Sequence, residues 1–114
     1  MEYRFRYEQG TLYAFAKGEL DMNTADAWRH AIDQELNESC ARHLVFDFHQ
    51  VTFIDSSGLG VILGRYRRLS SWGGKVYIRG ANQQVYRILY LSGFHRVMEI
   101  EKPEDRQQAG GEMI

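Results

Sequence analysis

Residues 3–8, YRFRYE, alternate aromatic and charged side chains. That period of two predicts a strand with one face against a core. Gln9-Gly10 supplies a turn, and TLYAFAKG (11–18) continues as a second strand. A connection this short joins antiparallel strands, because a parallel crossover needs a dozen residues or more. From Asn23 the period lengthens. Asn23 is a good N-cap, Asp26 falls in the first turn, and Ala25, Trp28, Ile32 and Leu36 share one face at helical spacing. LVFDF (44–48) is short and mostly apolar, which suits a strand covered on both faces.

A second helix is expected after Asp55, with Leu59, Ile62, Leu63, Tyr66 and Leu69 as its buried stripe and Gly73-Gly74 as its stop. KVYIRG (75–80) reads as a strand. A third helix starts near Asn82, turns Val85, Ile88 and Leu89 inward, and meets Gly93 in the left-handed cap position, with Phe94 packing back. VMEI (97–100) is a last short strand. The predicted fold is α/β: one mixed sheet with an N-terminal antiparallel hairpin, later parallel strands, and helices packed on the sheet. The domain occupies residues 1–102, and 103–114 form a polar, glycine-bearing, flexible tail. Leu44, Phe46, Phe48, Ile62, Leu63, Val76, Ile78, Ile88 and Leu89 are expected in a single core, the elements being too short to build two.

Composition narrows the function classes. At 114 residues, 44% hydrophobic and 25% charged, the chain is an ordinary globular domain. A formal net charge of -1 supplies no field to draw it to nucleic acid, and the cluster Arg65, Arg67 and Arg68 reads as the solvated face of a helix. Cys40, the single cysteine, has no disulfide partner, and His30, His43, His49 and His95 lack close metal-ligand spacing, so neither metal nor cofactor is expected. The start, MEYRFRYEQG, has no signal-peptide core, and no segment approaches the roughly 20 apolar residues of a membrane span. The chain reads as soluble and cytoplasmic, with neither membrane nor nucleic acid as a partner.

The chemistry lies in VTFIDSSGLGVILGRYRRL, residues 51–69. Asp55-Ser56-Ser57-Gly58 falls at a strand-to-helix junction, where unpaired N–H groups and the positive dipole end favour a capping hydroxyl or a phosphate. Either serine suits the cap, and local chemistry does not choose between them. Ser56, Gly60 and Gly64 recur every fourth residue, so one side of the helix lacks bulk. Either a neighbouring element of the same domain or a partner fills that side. GELD (18–21) ends the second strand. Asp21 is then an ordinary turn acid or, if both helix starts share a rim, a neighbour of Ser56.

GELD with a Thr-Ala helix start, then FIDSSGLGVILGRY, a Gly-Gly turn and LSGF together resemble the anti-sigma-factor antagonists of the STAS-domain family, in the stage II sporulation protein AA branch. The resemblance covers about residues 1–100. It implies a phosphoacceptor at the serine directly after the aspartate, Ser56, with Asp21 beside it. It implies partner contacts at Asp21, Asp55, Ser57, Gly58, Leu59 and Gly60. The implied partner is an ATP- or ADP-bound anti-sigma factor that is itself the serine kinase, and a serine phosphatase acts on the phosphorylated form. Unphosphorylated protein would bind the anti-sigma factor and free a sporulation sigma factor; phosphorylation would end binding. Some relatives carry a histidine pair after GELD where this chain has Met22-Asn23, so contacts through those histidines do not transfer.

Three rival readings are weaker. Gly58-Leu59-Gly60 with Gly64 resembles a dinucleotide-binding G-x-G-x-x-G, but the last glycine is one residue late and no acid follows near Lys75–Tyr77. DSSG is not the nucleophile elbow of a serine hydrolase. A STAS scaffold module of a stress-signalling or lipid-transport complex would use the same fold, but an intact Asp-Ser acceptor favours a switch. The chain is therefore expected not to be an enzyme.

Overall fold

The computed structural model describes residues 1–103; the expected tail lies, from residue 104 onward, outside the described residues. Strands β1 (Glu2–Glu8) and β2 (Thr11–Leu20) form the expected hairpin, with Phe5 opposite Ala14. Helix α1 (Ala25–Ser39) leads to β3 (His43–Ile54), α2 (Ser56–Ser70), β4 (Val76–Arg79), α3 (Gln83–Leu91) and β5 (Glu99–Ile100). The five strands lie in chain order, β1-β2-β3-β4-β5, antiparallel at the hairpin and parallel thereafter. Right-handed crossovers in such an order place every helix on one face of the sheet.

That face carries the core. Leu12, Ala14, Leu44, Phe46, Phe48, Val76 and Ile78 alternate inward and join Trp28, Ile32, Leu36, Ile62, Val85 and Leu89 in one cluster, with Leu63 and Ile88 at its border. The predicted core is thus a single one. Phe94, on a short 3-10 turn (Phe94–Arg96) after Gly93 in the left-handed conformation, packs back into it as expected. The final strand is shorter than 97–100, because Met98 turns into the core and only Glu99 and Ile100 pair with β4. At the end of α2, a β-carbon on Gly74 would fall onto the Arg42 carbonyl oxygen, so this closing turn admits no side chain.

Several local expectations are corrected. β3 runs well beyond residue 48. Irregularities in its pairing with β2, between Phe15 and Lys17 and again between Gly18 and Glu19, interrupt the alternation by which a strand is recognised. Helix α1 is capped at Thr24 rather than Asn23, and the Thr24 hydroxyl accepts from no amide of the helix. Instead Asp21 Oδ1 accepts the Asn23 and Thr24 N–H groups at 2.9 and 3.2 Å. On α2 the buried stripe contains Gly58, Val61, Ile62 and Leu69, while Leu59, Leu63 and Tyr66 are only partly covered. Arg65 is not on a solvated face: it lies in the α1–α2 seam, its Nε 3.1 Å from Asp33 Oδ1, with Arg68 3.3 Å from the same oxygen. Burial lowers the Arg65 pKa from the usual guanidinium range, with Asp33 opposing that shift.

The second face of the sheet is not covered by helices. Its aromatic rings are shielded by guanidinium groups from other strands: Arg4 lies 4.7 Å from the Phe15 ring, and Arg6 and Arg79, the latter reaching across β3, lie 5.0 and 5.2 Å from that of Tyr13. Asp47 is buried on this side, where its carboxylate meets Arg79 Nε at 2.9 Å and His49 Nδ1 at 2.8 Å. Burial alone would raise its pKa, but the hydrogen bonds from His49 and Arg79 outweigh it and hold the carboxyl below its ordinary value. A depressed folded-state pKa stabilises above the unfolded value of about 3.9 and is lost as pH falls through the folded one. Asp47→Asn is therefore expected to lower the urea midpoint at pH 7 and to shrink the difference between midpoints measured at pH 7 and in acid.

Candidate functional site

The parallel pairing of β2 and β3 ends with Leu20 beside Ile54, and the Asp55 N–H donates to the Leu20 carbonyl at 3.1 Å. Asp21 and Asp55 therefore leave adjacent strand ends together. The starts of α1 and α2 occupy one rim. Asp21 is indeed a turn acid, bonded to its own loop, and it also stands on the rim that carries Ser56.

Neither serine caps α2. Asp55 does so, its Oδ1 accepting from the Ser57 N–H at 2.8 Å and the Gly58 N–H at 3.3 Å. The Ser56 hydroxyl is left without a hydrogen bond among the described residues and is exposed, whereas Ser57 is half-buried. The glycine face is also settled within the domain. A β-carbon on Gly60 or Gly64 would meet nothing within 4 Å, so no element of the described fold packs there.

Gly58 stands apart. It is buried, and a β-carbon there would lie 2.7 Å from the Leu20 carbonyl oxygen, 2.8 Å from Ile54 Cγ1 and 3.0 Å from Leu20 Cβ. The missing side chain lets the first turn of α2 sit on the two strand ends. Gly58→Val is expected to destabilise the fold by about 1–3 kcal/mol through overpacking, measured as a lowered denaturation midpoint. Leu59 is half-buried against the core, and Gly60 is exposed.

Two further rim residues were not among the expected contacts. Met22 is 76% exposed, an apolar side chain standing in water directly after Asp21. Arg29 joins Met22, Ala25, Asp26, Ser57 and Gly60 around a shallow groove between the helix starts, with its Nη2 2.7 Å from Asp26 Oδ1. That hydrogen bond and the arginine charge lower the Asp26 pKa. An apolar residue in a turn of polar neighbours was a readable signal for Met22; Arg29 had only its i,i+3 spacing from Asp26. Among the described residues no group of three or more His, Cys, Asp or Glu side chains is placed to hold a metal ion, and no helix is long and apolar enough to cross a membrane.

The match to known proteins follows this geometry. The STAS domain family matches residues 5–106. An anti-sigma F factor antagonist from Paenibacillus polymyxa is 35% identical over 100 residues, spanning 88% of this chain and 86% of the relative. The solved structure of the anti-sigma factor antagonist SpoIIAA in its unphosphorylated form is similar over 99% of both chains, with a TM-score of 0.76 at 22% identity. SpoIIAA of Bacillus in its phosphorylated form gives a TM-score of 0.70 at 22% identity, over 95% of this chain and 98% of that one. The chain belongs to the STAS-domain family, in the branch of the anti-sigma-factor antagonists.

Proposed function

We propose that this protein is a phosphorylation-switched antagonist of an anti-sigma factor. Unphosphorylated, it docks on an ATP- or ADP-bound anti-sigma factor through the rim of Asp21, Asp55, Ser56, Ser57, Leu59 and Gly60, and a sporulation sigma factor is released; Gly58, also expected as a contact, is buried against Leu20 and Ile54 and supports the rim from beneath. The same anti-sigma factor phosphorylates Ser56, which ends the binding, and a serine phosphatase resets the switch. The chain itself catalyses nothing: it is the kinase's substrate and the sigma factor's competitor.

The observation that carries this reading is the division of labour at the start of α2. Asp55 takes the capping amides, so the Ser56 hydroxyl is exposed and unbonded beside a helix face bare at Gly60 and Gly64. A hydroxyl engaged in a cap would have to leave it before reacting. The relatives support the partner, since one is an anti-sigma F factor antagonist and a structural neighbour has a phosphorylated form. The deciding experiment is intact-mass and peptide analysis after incubation with ATP and the cognate anti-sigma factor. One phosphate on Ser56 is expected; a phosphate on Ser57 with Ser56 untouched would sink the assignment.

Gly60 separates docking from folding. A leucine there meets no neighbour within 4 Å at its β-carbon and replaces a glycine inside a helix, which stabilises by up to about 1 kcal/mol. Gly60→Leu is expected to melt no lower than the parent while binding the anti-sigma factor at least roughly tenfold more weakly, a loss of about 1.4 kcal/mol. Titration calorimetry alongside thermal melts reads both, and undiminished binding would remove this face from the interface.

A further inference from the structure

The sequence of β1 is the same read in either direction: Glu2, Tyr3, Arg4, Phe5, Arg6, Tyr7, Glu8, centred on Phe5. This strand also lies at the end of the sheet, paired on one side with β2 and on the other with nothing among the described residues. All of it but Phe5 is exposed. Of the usual guards of an open edge the strand has charged side chains alone, two glutamates and two arginines; it contains no proline and no lysine, and its pairing with β2 runs without a bulge from Glu2 to Glu8. Its two arginines do not project over the edge. They turn back across the hairpin onto Phe15 and Tyr13.

We propose that β1 is a self-association edge: two copies of this chain pair their β1 strands antiparallel about a two-fold axis, joining the two sheets into one. In a continuous sheet opposing residues stay on the same face, so even-numbered residues face even-numbered ones. The centred register sets Arg4 against the partner's Arg6 and Glu2 against the partner's Glu8, and like charges directly opposite are unfavourable. A slip of two residues removes that conflict. Glu2 then faces the partner's Arg6, Arg6 faces the partner's Glu2, and Tyr3 and Phe5 face the partner's Phe5 and the partner's Tyr3. Arg4 falls on the axis, where its stacking over Phe15 draws the guanidinium away from its symmetry mate. Because the sequence is a palindrome, a slip the other way gives the same pairing chemistry around Arg6.

An edge contact of this length is small, so the dimer is a weak one that forms with concentration. It leaves the Ser56 rims free. Each β2 runs opposite to the other across the axis, so the two rims face opposite ends of the joined sheet, and one dimer can hold two anti-sigma factor molecules.

The test is sedimentation equilibrium from micromolar to millimolar protein, where the mass is expected to rise from one chain toward two. A cationic-edge variant (Glu2→Arg with Glu8→Arg) and an anionic-edge variant (Arg4→Glu with Arg6→Glu) are each expected to self-associate at least tenfold more weakly, and their mixture to regain a one-to-one complex. A wild-type chain monomeric throughout, or self-association unchanged in both variants, overturns the proposal. If the anionic variant fails to fold, Arg4→Cys and Arg6→Cys, each in a Cys40→Ser background, replace it: a disulfide-linked dimer from either supports the pairing, and none from either overturns it.

Discussion

Phosphorylation of Ser56 is expected to weaken binding to the ADP-loaded anti-sigma factor by roughly a hundredfold or more, with the circular dichroism spectrum unchanged. The phosphate adds about -1.5 to -2 charges at neutral pH. The helix start that ought to welcome it is already occupied, because the Asp55 carboxylate holds the Ser57 and Gly58 N–H groups. The dipole alone returns only about 0.3–1 kcal/mol. Arg29, which lines the groove between the helix starts, is tied to Asp26 at 2.7 Å. In the free domain the phosphate therefore stays in water and the fold keeps its shape. At a docked surface water is excluded, and the anion lies on a rim that already carries Asp21 and Asp55. A penalty of about 3 kcal/mol corresponds to the hundredfold loss. Ser56→Ala is expected to bind constitutively and escape phosphorylation, and Ser56→Asp to bind poorly. Affinities measured before and after phosphorylation decide the matter, and an unchanged affinity would overturn the mechanism.

Trp28→Ala is expected to cost the fold about 3–5 kcal/mol, the range for removing a fully buried aromatic side chain. Trp28 has no exposed surface and packs on Phe46 and Phe48, with ring centroids 5.4 and 6.2 Å away. Those two phenylalanines are themselves fully buried on β3, so the surroundings have little freedom to collapse into the space. For a domain of this size the melting temperature should fall on the order of 10–20 °C. Thermal unfolding followed by far-ultraviolet circular dichroism is the check, since the variant keeps only the half-exposed Trp72 as a fluorescence probe. A fall of less than about 1 kcal/mol would mean that this cluster does not hold α1 to the sheet.

The order of elements and the single core were legible because long-range packing there agrees with local pattern: β2, α1 and α3 each carry an unbroken period, whereas β1 alternates just as cleanly but brings only Phe5 against the core and leaves Tyr3 and Tyr7 exposed. β3 was cut short where irregular pairing with β2 changes which residues face inward, a property of two strands that one strand's sequence does not carry. Arg65 was misjudged for the same reason, since its partner Asp33 lies on another helix. LVFDF is buried along its whole length, as its apolar run implied, but the cover on its second face comes from side chains rather than helices, which a run of apolar residues does not specify. At the site, the motif located the rim, but two details needed coordinates: Asp55 rather than a serine as the cap, and Gly58 as a packing glycine.

A sheet laid down in chain order also has a direction in time. No strand must be inserted between two that are already paired, so each can add to its predecessor as it leaves the ribosome. The pair of strands and the two helix starts that make the rim are all contained in residues up to Ser70, ahead of β4, α3 and β5. The nascent chain can thus assemble its regulatory surface before the far edge of its own sheet has been synthesised.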